Sequence, residues 1–260
     1  MAGFDWAHRA SVIVDGQGLR GVIVVGERDA ADCRLARLEL AARDAEAERR
    51  LLEWGSEVAA ARVEAAVATI WRAHAHPGPL PELGFSVQRT FWRMDHTSAD
   101  EVRELRLPDG FKAVPRSESN LSEQAWIQVY NLAFADHWRH APMRVEDWER
   151  RRLDEHPELS VMALTADGAP AAAVLCTLEV TGDARPQPVG IIGSVGTLPN
   201  FRRRGLARAL TAEAVRRLRQ AGARCISLYV DAGNRQHAYE LYGQLGFVVA
   251  FQFDVWEKRI

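Results

Sequence analysis

Between residues 189 and 222 the hydrophobic pattern changes period once, and that change marks the element boundaries. Residues 189–198 (VGIIGSVGTL) form a near-continuous apolar run of strand length. Pro199 and Asn200 end it. Leu206, Leu210, Ala214 and Leu218 then recur at every fourth position, while Arg208, Glu213, Arg216 and Arg217 fall between them. That spacing predicts an amphipathic helix. A second strand follows at 225–231 (CISLYVD), with a turn at Ala232, Gly233 and Asn234. Ala238, Leu241, Tyr242 and Leu245 mark a short helix, which Gly246 closes.

The same reading extends to the rest of the chain. Residues 10–15 and 20–26 predict a hairpin around Gly16 and Gly18, and 33–41 a third strand. Residues 44–60 predict a helix with Leu51, Leu52 and Val58 inward; 63–71 fits either strand or helix, and 76–81 is a Pro/Gly loop. Residues 82–95 alternate as a strand, and 110–116 predicts another. An amphipathic helix spans 122–135, capped by Ser119 or Ser122, with Trp126, Val129, Tyr130, Ala133 and Phe134 as its apolar stripe. A second helix is expected to run to about Glu155. Residues 159–166 and 170–181 predict strands, and 183–188 a loop.

Two segments repeat. Residues 82–94 (ELGFSVQRTFWRM) and 244–256 (QLGFVVAFQFDVW) both run Leu-Gly-Phe and then alternate as a strand. Each is preceded by strands, a helix and a strand in the same order, which predicts an internal repeat. The expected domains are 1–96 and 108–260, joined by a polar linker at 97–107.

Composition narrows the function classes. The 260 residues are 47% hydrophobic with a formal net charge of −2, so no global positive charge argues for nucleic acid. No apolar run is long enough to span a bilayer, and MAGFDWAHRA lacks a signal-peptide core. A cytoplasmic protein is expected. The cysteines Cys33, Cys176 and Cys225 form no metal spacing, and His74 and His76 sit beside a Pro/Gly loop with no carboxylate cluster. No metal site is expected.

The turn between strand and helix carries the chemistry. Arg202-Arg203-Arg204-Gly205-Leu206-Ala207 places a basic, glycine-containing turn directly at a helix N-terminus. The first N–H groups there lack intrahelical partners, and the dipole adds partial positive charge, so an anion binds readily. With Val195-Gly196-Thr197 before it, this turn resembles the acyl-CoA pyrophosphate loop of the GNAT superfamily of N-acetyltransferases. The run NRQHAYELYGQLGF (234–247) resembles the second motif of that superfamily, in the right order and about 30 residues on. Leu228-Tyr229-Val230-Asp231 and the two-unit plan resemble tandem mycothiol synthases, except that Ile191 stands where those carry a carboxylate.

The resemblance implies an α/β GNAT fold in two tandem units, each a mixed, mostly antiparallel twisted sheet with helices on both faces. It implies acetyl-CoA as acyl donor and a primary amine of a small molecule or peptide as acceptor. Val195, Gly196 and Thr197 would line the pantetheine arm, with Asn234 beside it. Arg202, Arg203, Arg204, Gly205, Leu206, Ala207 and Arg208 would hold the pyrophosphate. Tyr242 would protonate the departing thiolate, and Glu179 is the candidate base, with water as the alternative. Tyr130, Asn131, His137, Trp138 and Tyr229 would line the acceptor site, together with Phe134 and Trp148. The corresponding turn of the first unit reads ARDAEAE (42–48), with no glycine and three carboxylates, so that half is expected to bind no CoA. Rival expectations are an idle CoA-binding regulator, or O-acyl or longer-chain acyl transfer. Monomer and homodimer are both compatible with the sequence.

Overall fold

The computed structural model describes residues 6–30, 33–62, 65, 67–74, 76–97, 105–151, 153, 155–181, 187–234 and 236–260. Most of the expected 97–107 linker and of the 183–188 loop lies outside these residues, as do 63, 64 and 66. The chain forms two compact units, one of residues 1–91 with 252–260 and one of 92–251.

The first unit opens with a single helical turn, α1 (Trp6–Arg9), and a hairpin of β1 (Ala10–Asp15) and β2 (Gly18–Asp29). Then come β3 (Arg34–Ala42), α2 (Ala45–Arg62) and β4 (Val67–Ala73). The segment that fitted strand or helix is therefore a strand from Val67. Two further strands, β5 (Ser86–His96) and β11 (Val248–Arg259), are each divided between the units. Within the first unit the strand order is β1–β2–β3–β4–β11–β5. Its pairs are antiparallel at β1–β2, β2–β3 and β4–β11, and parallel at β3–β4. Ile23, Val25, Ala36, Leu38, Ala68 and Ile70 alternate onto one face and pack against Leu51, Leu52 and Val58 of α2. The leucines and valine that the helical period points inward are the ones buried.

The second unit comprises β6 (Phe111–Pro115), α3 (Glu123–Phe134), α4 (Val145–Glu149), β7 (Val161–Thr165), β8 (Pro170–Thr181), β9 (Gln187–Thr197), α5 (Leu206–Gln220), β10 (Cys225–Asp231) and α6 (Ala238–Gln244). Its strand order is β5–β10–β9–β8–β7–β6. The β6–β7, β7–β8 and β8–β9 pairs are antiparallel, and β9–β10 is parallel. Strand alternation builds two cores. Ala172, Val174 and Cys176 of β8 face Leu206, Leu210, Ala214 and Leu218 of α5, while Ala173 and Leu175 face Trp126, Ile127 and Val129 of α3. Helices thus cover both faces of this sheet.

Two glycines admit this packing. A Cβ on Gly190 would lie 2.9 Å from Leu218 Cδ2, and one on Gly196 would lie 2.8 Å from Ala133 Cβ. α5 and α3 approach β9 closely only because these side chains are absent. Ser122 caps α3, its side chain accepting from the Ala125 N–H.

One helix is shorter than expected. α4 ends at Glu149, where Arg150 N–H still donates to Glu146 O but Arg151 N–H donates to Trp148 O. The bonding tightens from four residues to three, which ends the helix. Residues 152 and 154 of the expected continuation lie outside the described residues. β9 also begins earlier than expected, at Gln187.

Candidate active site

β9 and β10 run parallel from Val189↔Cys225 to Ile192↔Leu228. Beyond that point β9 keeps its pairing with β8 through Ser194, Val195, Gly196 and Thr197. Among the described residues the side of β9 that faced β10 has no strand partner from Gly193 onward, and a bulge at Gly193 separates Ile192 from Ser194. Backbone groups there can pair with an extended ligand.

Past this opening the chain reaches the basic turn. Arg203 and Gly205 both have left-handed backbone, φ 61° and 83°. Alternation of this kind gathers amides into an anion-binding concavity. Gly205 is the N-cap of α5 and offers no side-chain cap, so the first N–H groups of the helix are left for a ligand. Thr197 Oγ1 is buried without a hydrogen-bond partner just before the turn. An uncapped helix start, a left-handed turn and an orphaned hydroxyl together fit a pyrophosphate-bearing cofactor.

The arginines of this turn differ in use. Arg202 is spent on structure: Nη1 and Nη2 bind Asp136 at 2.8 and 3.1 Å, Nε donates to Thr197 O, and Nη2 donates to Ala133 O. It ties the turn to α3, and its hydrogen bonds, with its charge behind them, hold the Asp136 carboxyl below the usual range. Arg204 lies over the Phe201 ring at 5.5 Å and donates to Asn200 O. Leu206 is buried in the core, so it, Ala207 and Arg208 can serve an anion through backbone rather than side chain. Asn234 Oδ1 accepts from Gln236 N–H and shapes the turn after β10.

The equivalent helix start in the first unit is already filled. Asp44 Oδ1 accepts the Ala47 N–H at 2.9 Å, and Arg20 binds the same carboxylate at 2.7 Å.

Tyr242 is buried, packs edge-on against Phe247 at 6.1 Å, and has no hydrogen-bond partner for its hydroxyl among the described residues. Burial pushes its phenol above the ordinary value, so it stays protonated. Tyr229 is exposed and lies one residue beyond the last β9–β10 pair.

A cleft of about 720 Å³ lies on the α3–α4 side of β8, lined by Leu175, Thr177, Glu179, Gly193, Arg151 and His156 among others. Glu179 is exposed there. Beside the cleft, Arg151 Nη1 donates to Ser194 Oγ at 3.2 Å and Nη2 to Tyr130 OH at 3.4 Å, with the guanidinium 5.0 Å from the Tyr130 ring centre. Tyr130 stacks on Phe134 at 4.7 Å, and His137 packs edge-on against Phe134 at 4.6 Å. Burial keeps His137 below its ordinary pKa, hence neutral. Trp138 lies half-buried under Arg139.

Two expected acceptor residues serve packing in this arrangement. Asn131 spends both ends of its amide on the Met143 backbone, fixing the loop after α3. Trp148 is buried against Trp126. Arg151 and Ser194 were not among the expected site residues. Among the described residues no three His, Cys, Asp or Glu side chains gather as a metal site, and no helix is long and apolar enough to cross a membrane.

The profile of the acetyltransferase (GNAT) family matches residues 123–247. Mycothiol acetyltransferase of Kytococcus sedentarius is 32% identical over 167 residues, covering 63% of this chain and 55% of the relative. That of Nocardiopsis dassonvillei is 35% identical over 131 residues, covering 49% and 39%. The chain spans about half the length of such relatives. A GCN5-related N-acetyltransferase from Sphaerobacter thermophilus superposes with a TM-score of 0.82 at 24% identity, covering 99% of this chain and 82% of that one. A tandem GNAT protein from the clavulanic acid biosynthesis pathway gives 0.69 at 16% identity, covering 96% and 83%. These likenesses establish the GNAT fold, and residues 123–247 place in this chain a domain of the acetyltransferase (GNAT) family.

Proposed function

We propose that the second unit transfers an acetyl group from acetyl-CoA directly to a primary amine of a small molecule or peptide. The observation that carries this is the uncapped start of α5 at the end of a strand whose edge has opened beside β10. The relatives named mycothiol acetyltransferase support acetyl transfer as the reaction class.

The geometry supports the following roles. Amides from Arg203 to Arg208 hold the pyrophosphate, Gly205 allows the close approach, and Arg202 fixes the turn through Asp136. Backbone groups on the opened edge of β9 around Val195, Gly196 and Thr197 orient the amide-bearing arm, with Asn234 shaping its far wall. Bound acetyl-CoA supplies the acetyl thioester. A backbone N–H of the opened β9 edge polarises its carbonyl. Tyr242, held protonated by burial, gives its proton to the departing sulfur. Glu179, or water in the same cleft, takes the proton of the incoming amine. Tyr130, His137, Trp138 and Tyr229 wall the acceptor.

The first unit serves as scaffold. Asp44 caps α2 where a pyrophosphate would have to sit, so a bound anion would displace a hydrogen bond and meet a like charge. Residues 1–96 are read as a shortened GNAT-like unit without a CoA loop, and 108–260 as the acting one.

Release of free CoA thiol from acetyl-CoA in the presence of a broad amine panel tests the proposal. Amine-dependent release supports it. Tight CoA binding without release on any amine would instead make the chain a CoA-responsive regulator.

A further inference from the structure

Arg151 stands out among the cations of the acceptor cleft. Its neighbour Arg150 is neutralised by Asp147. Arg151 has no carboxylate partner among the described residues; its contacts are the hydroxyls of Ser194 and Tyr130 and the Tyr130 ring. Among the described residues this half-buried guanidinium is held by neutral groups alone, which leaves its charge under-compensated. It is also held in place: two N–H groups and one face are committed, and three of its five donors make no hydrogen bond to a described residue. Ser194 Oγ is itself fixed, donating to Gly193 O at 2.7 Å.

The position is informative. Ser194 immediately precedes Val195, so the guanidinium stands beside the strand segment assigned to the acetyl thioester. Thr177 and Glu179 alternate with Leu178 on β8 and line the same cleft. One wall therefore offers a planar cation and another a carboxylate.

The geometry points to an acceptor that carries an anionic group, carboxylate or phosphate, within a few bonds of its reacting amine, with Arg151 binding the anion and Glu179 facing the ammonium. This rests on the acetyltransferase reading and deepens it by naming the acceptor class. Guanidinium matches a carboxylate or phosphate with two parallel hydrogen bonds, so the arrangement selects as well as binds. A neutral amine of equal size would leave Arg151 without a counter-ion among the described residues.

The test compares ethylamine, β-alanine and phosphoethanolamine as acceptors for the wild type, Arg151→Gln and Arg151→Lys. The wild type is expected to favour an anionic amine over ethylamine by about tenfold or more in kcat/KM, carried mainly in KM. Arg151→Gln is expected to abolish that preference, and Arg151→Lys to restore part of it through charge alone. β-Alanine and phosphoethanolamine separate carboxylate from phosphate recognition. A wild type without preference, or a preference that survives Arg151→Gln, overturns the inference. A second measurement needs no turnover: N-acetylglycine is expected to raise the unfolding temperature of the wild type and of Arg151→Lys but not of folded Arg151→Gln. Equal shifts, or no shift in the wild type, overturn it as well. Acetylation of ethylamine alone would leave the acetyltransferase reading standing while the anion site fell.

Discussion

Tyr242 and Leu80 occupy the same place in two copies of one turn. Phe247 N–H donates to Tyr242 O at 3.1 Å, and Phe85 N–H donates to Leu80 O at 3.0 Å. One residue earlier, Gly246 N–H donates to Gly243 O at 3.0 Å and Gly84 N–H to Pro81 O at 3.1 Å. Both glycines are left-handed, φ 88° and 83°. Tyr242, Leu80, Phe247 and Phe85 are all buried. The repeat in the sequence is therefore a repeat in backbone bonding, and the side chain at its pivot is a phenol in one unit and an isobutyl group in the other. Only the second unit has a proton to give at this point.

Tyr242→Phe keeps the ring and leaves no partner unsatisfied, because the hydroxyl makes no hydrogen bond with a described residue. Its unfolding temperature should match the wild type and its acetyl-CoA affinity should hold, while kcat falls about 10²-fold. Steady-state rates beside a CoA titration check this. An unchanged kcat would remove Tyr242 from the proton path.

Gly196 is expected to be sensitive for reasons of packing. A side chain there meets Ala133 and Phe134 of α3, so Gly196→Val should push α3 from β9 and destabilise the protein by about 1–3 kcal/mol. Denaturant unfolding reads this directly. The same substitution at Gly168, which has open space but a φ of 88°, should act through backbone strain alone and leave acetyl-CoA affinity untouched.

Arg202 and Asp136 should separate in magnitude. Asp136→Asn removes one exposed ion pair, about 0.2–1 kcal/mol. Arg202→Ala also releases the carbonyls of Thr197 and Ala133 and should cost about 1–2 kcal/mol. It should also weaken acetyl-CoA binding by loosening the turn. Asp136 has a lowered folded pKa, so its share of stability is present above the ordinary aspartate value and is lost as pH falls through the folded one. Asp136→Asn and wild type should therefore converge in stability in acid, and parallel unfolding curves at neutral and acid pH measure it.

In alkali the sign reverses. Burial raises the pKa of both Cys176 and Tyr242 in the folded protein. The unfolded chain then ionises first, so stability is complete below the ordinary thiol and phenol values, about 8.5 and 10, and declines as pH rises past them. Cys176→Ala should flatten the decline between about pH 8.5 and 10, leaving the Tyr242 part above it. Unfolding midpoints across that range show the difference; identical slopes would mean the thiol is not buried in solution.

What the sequence discloses follows from the range of each interaction. α5 is legible because Leu206, Leu210, Ala214 and Leu218 satisfy a local period, and all four are buried. The basic turn is legible because helix start, glycine and arginines are contiguous. The Leu-Gly-Phe turns are legible because their hydrogen bonds close within six residues. The Arg151–Ser194 contact joins positions 43 apart, and the run RVEDWERRRLDEH around Arg151 looks like any solvated helix face. Asn131 looks polar enough for a substrate and is instead spent on the Met143 backbone 12 residues on. The division of β5 and β11 between two units has no local signal either, since alternation is identical on both sides of the cut.

The central claim is that an acyl-CoA is held at the start of α5. Calorimetric titration of acetyl-CoA into the wild type and into an Arg204→Glu, Gly205→Glu double variant tests it most directly. The double change sets two carboxylates against the pyrophosphate and forces a side chain into a backbone of φ 83°, with only Pro108 as near as 3.9 Å to the new Cβ. One molecule bound per chain in the wild type, with affinity reduced by at least about 100-fold in a folded variant, is the expected result. No binding to the wild type, or equal binding to both proteins, would contradict it.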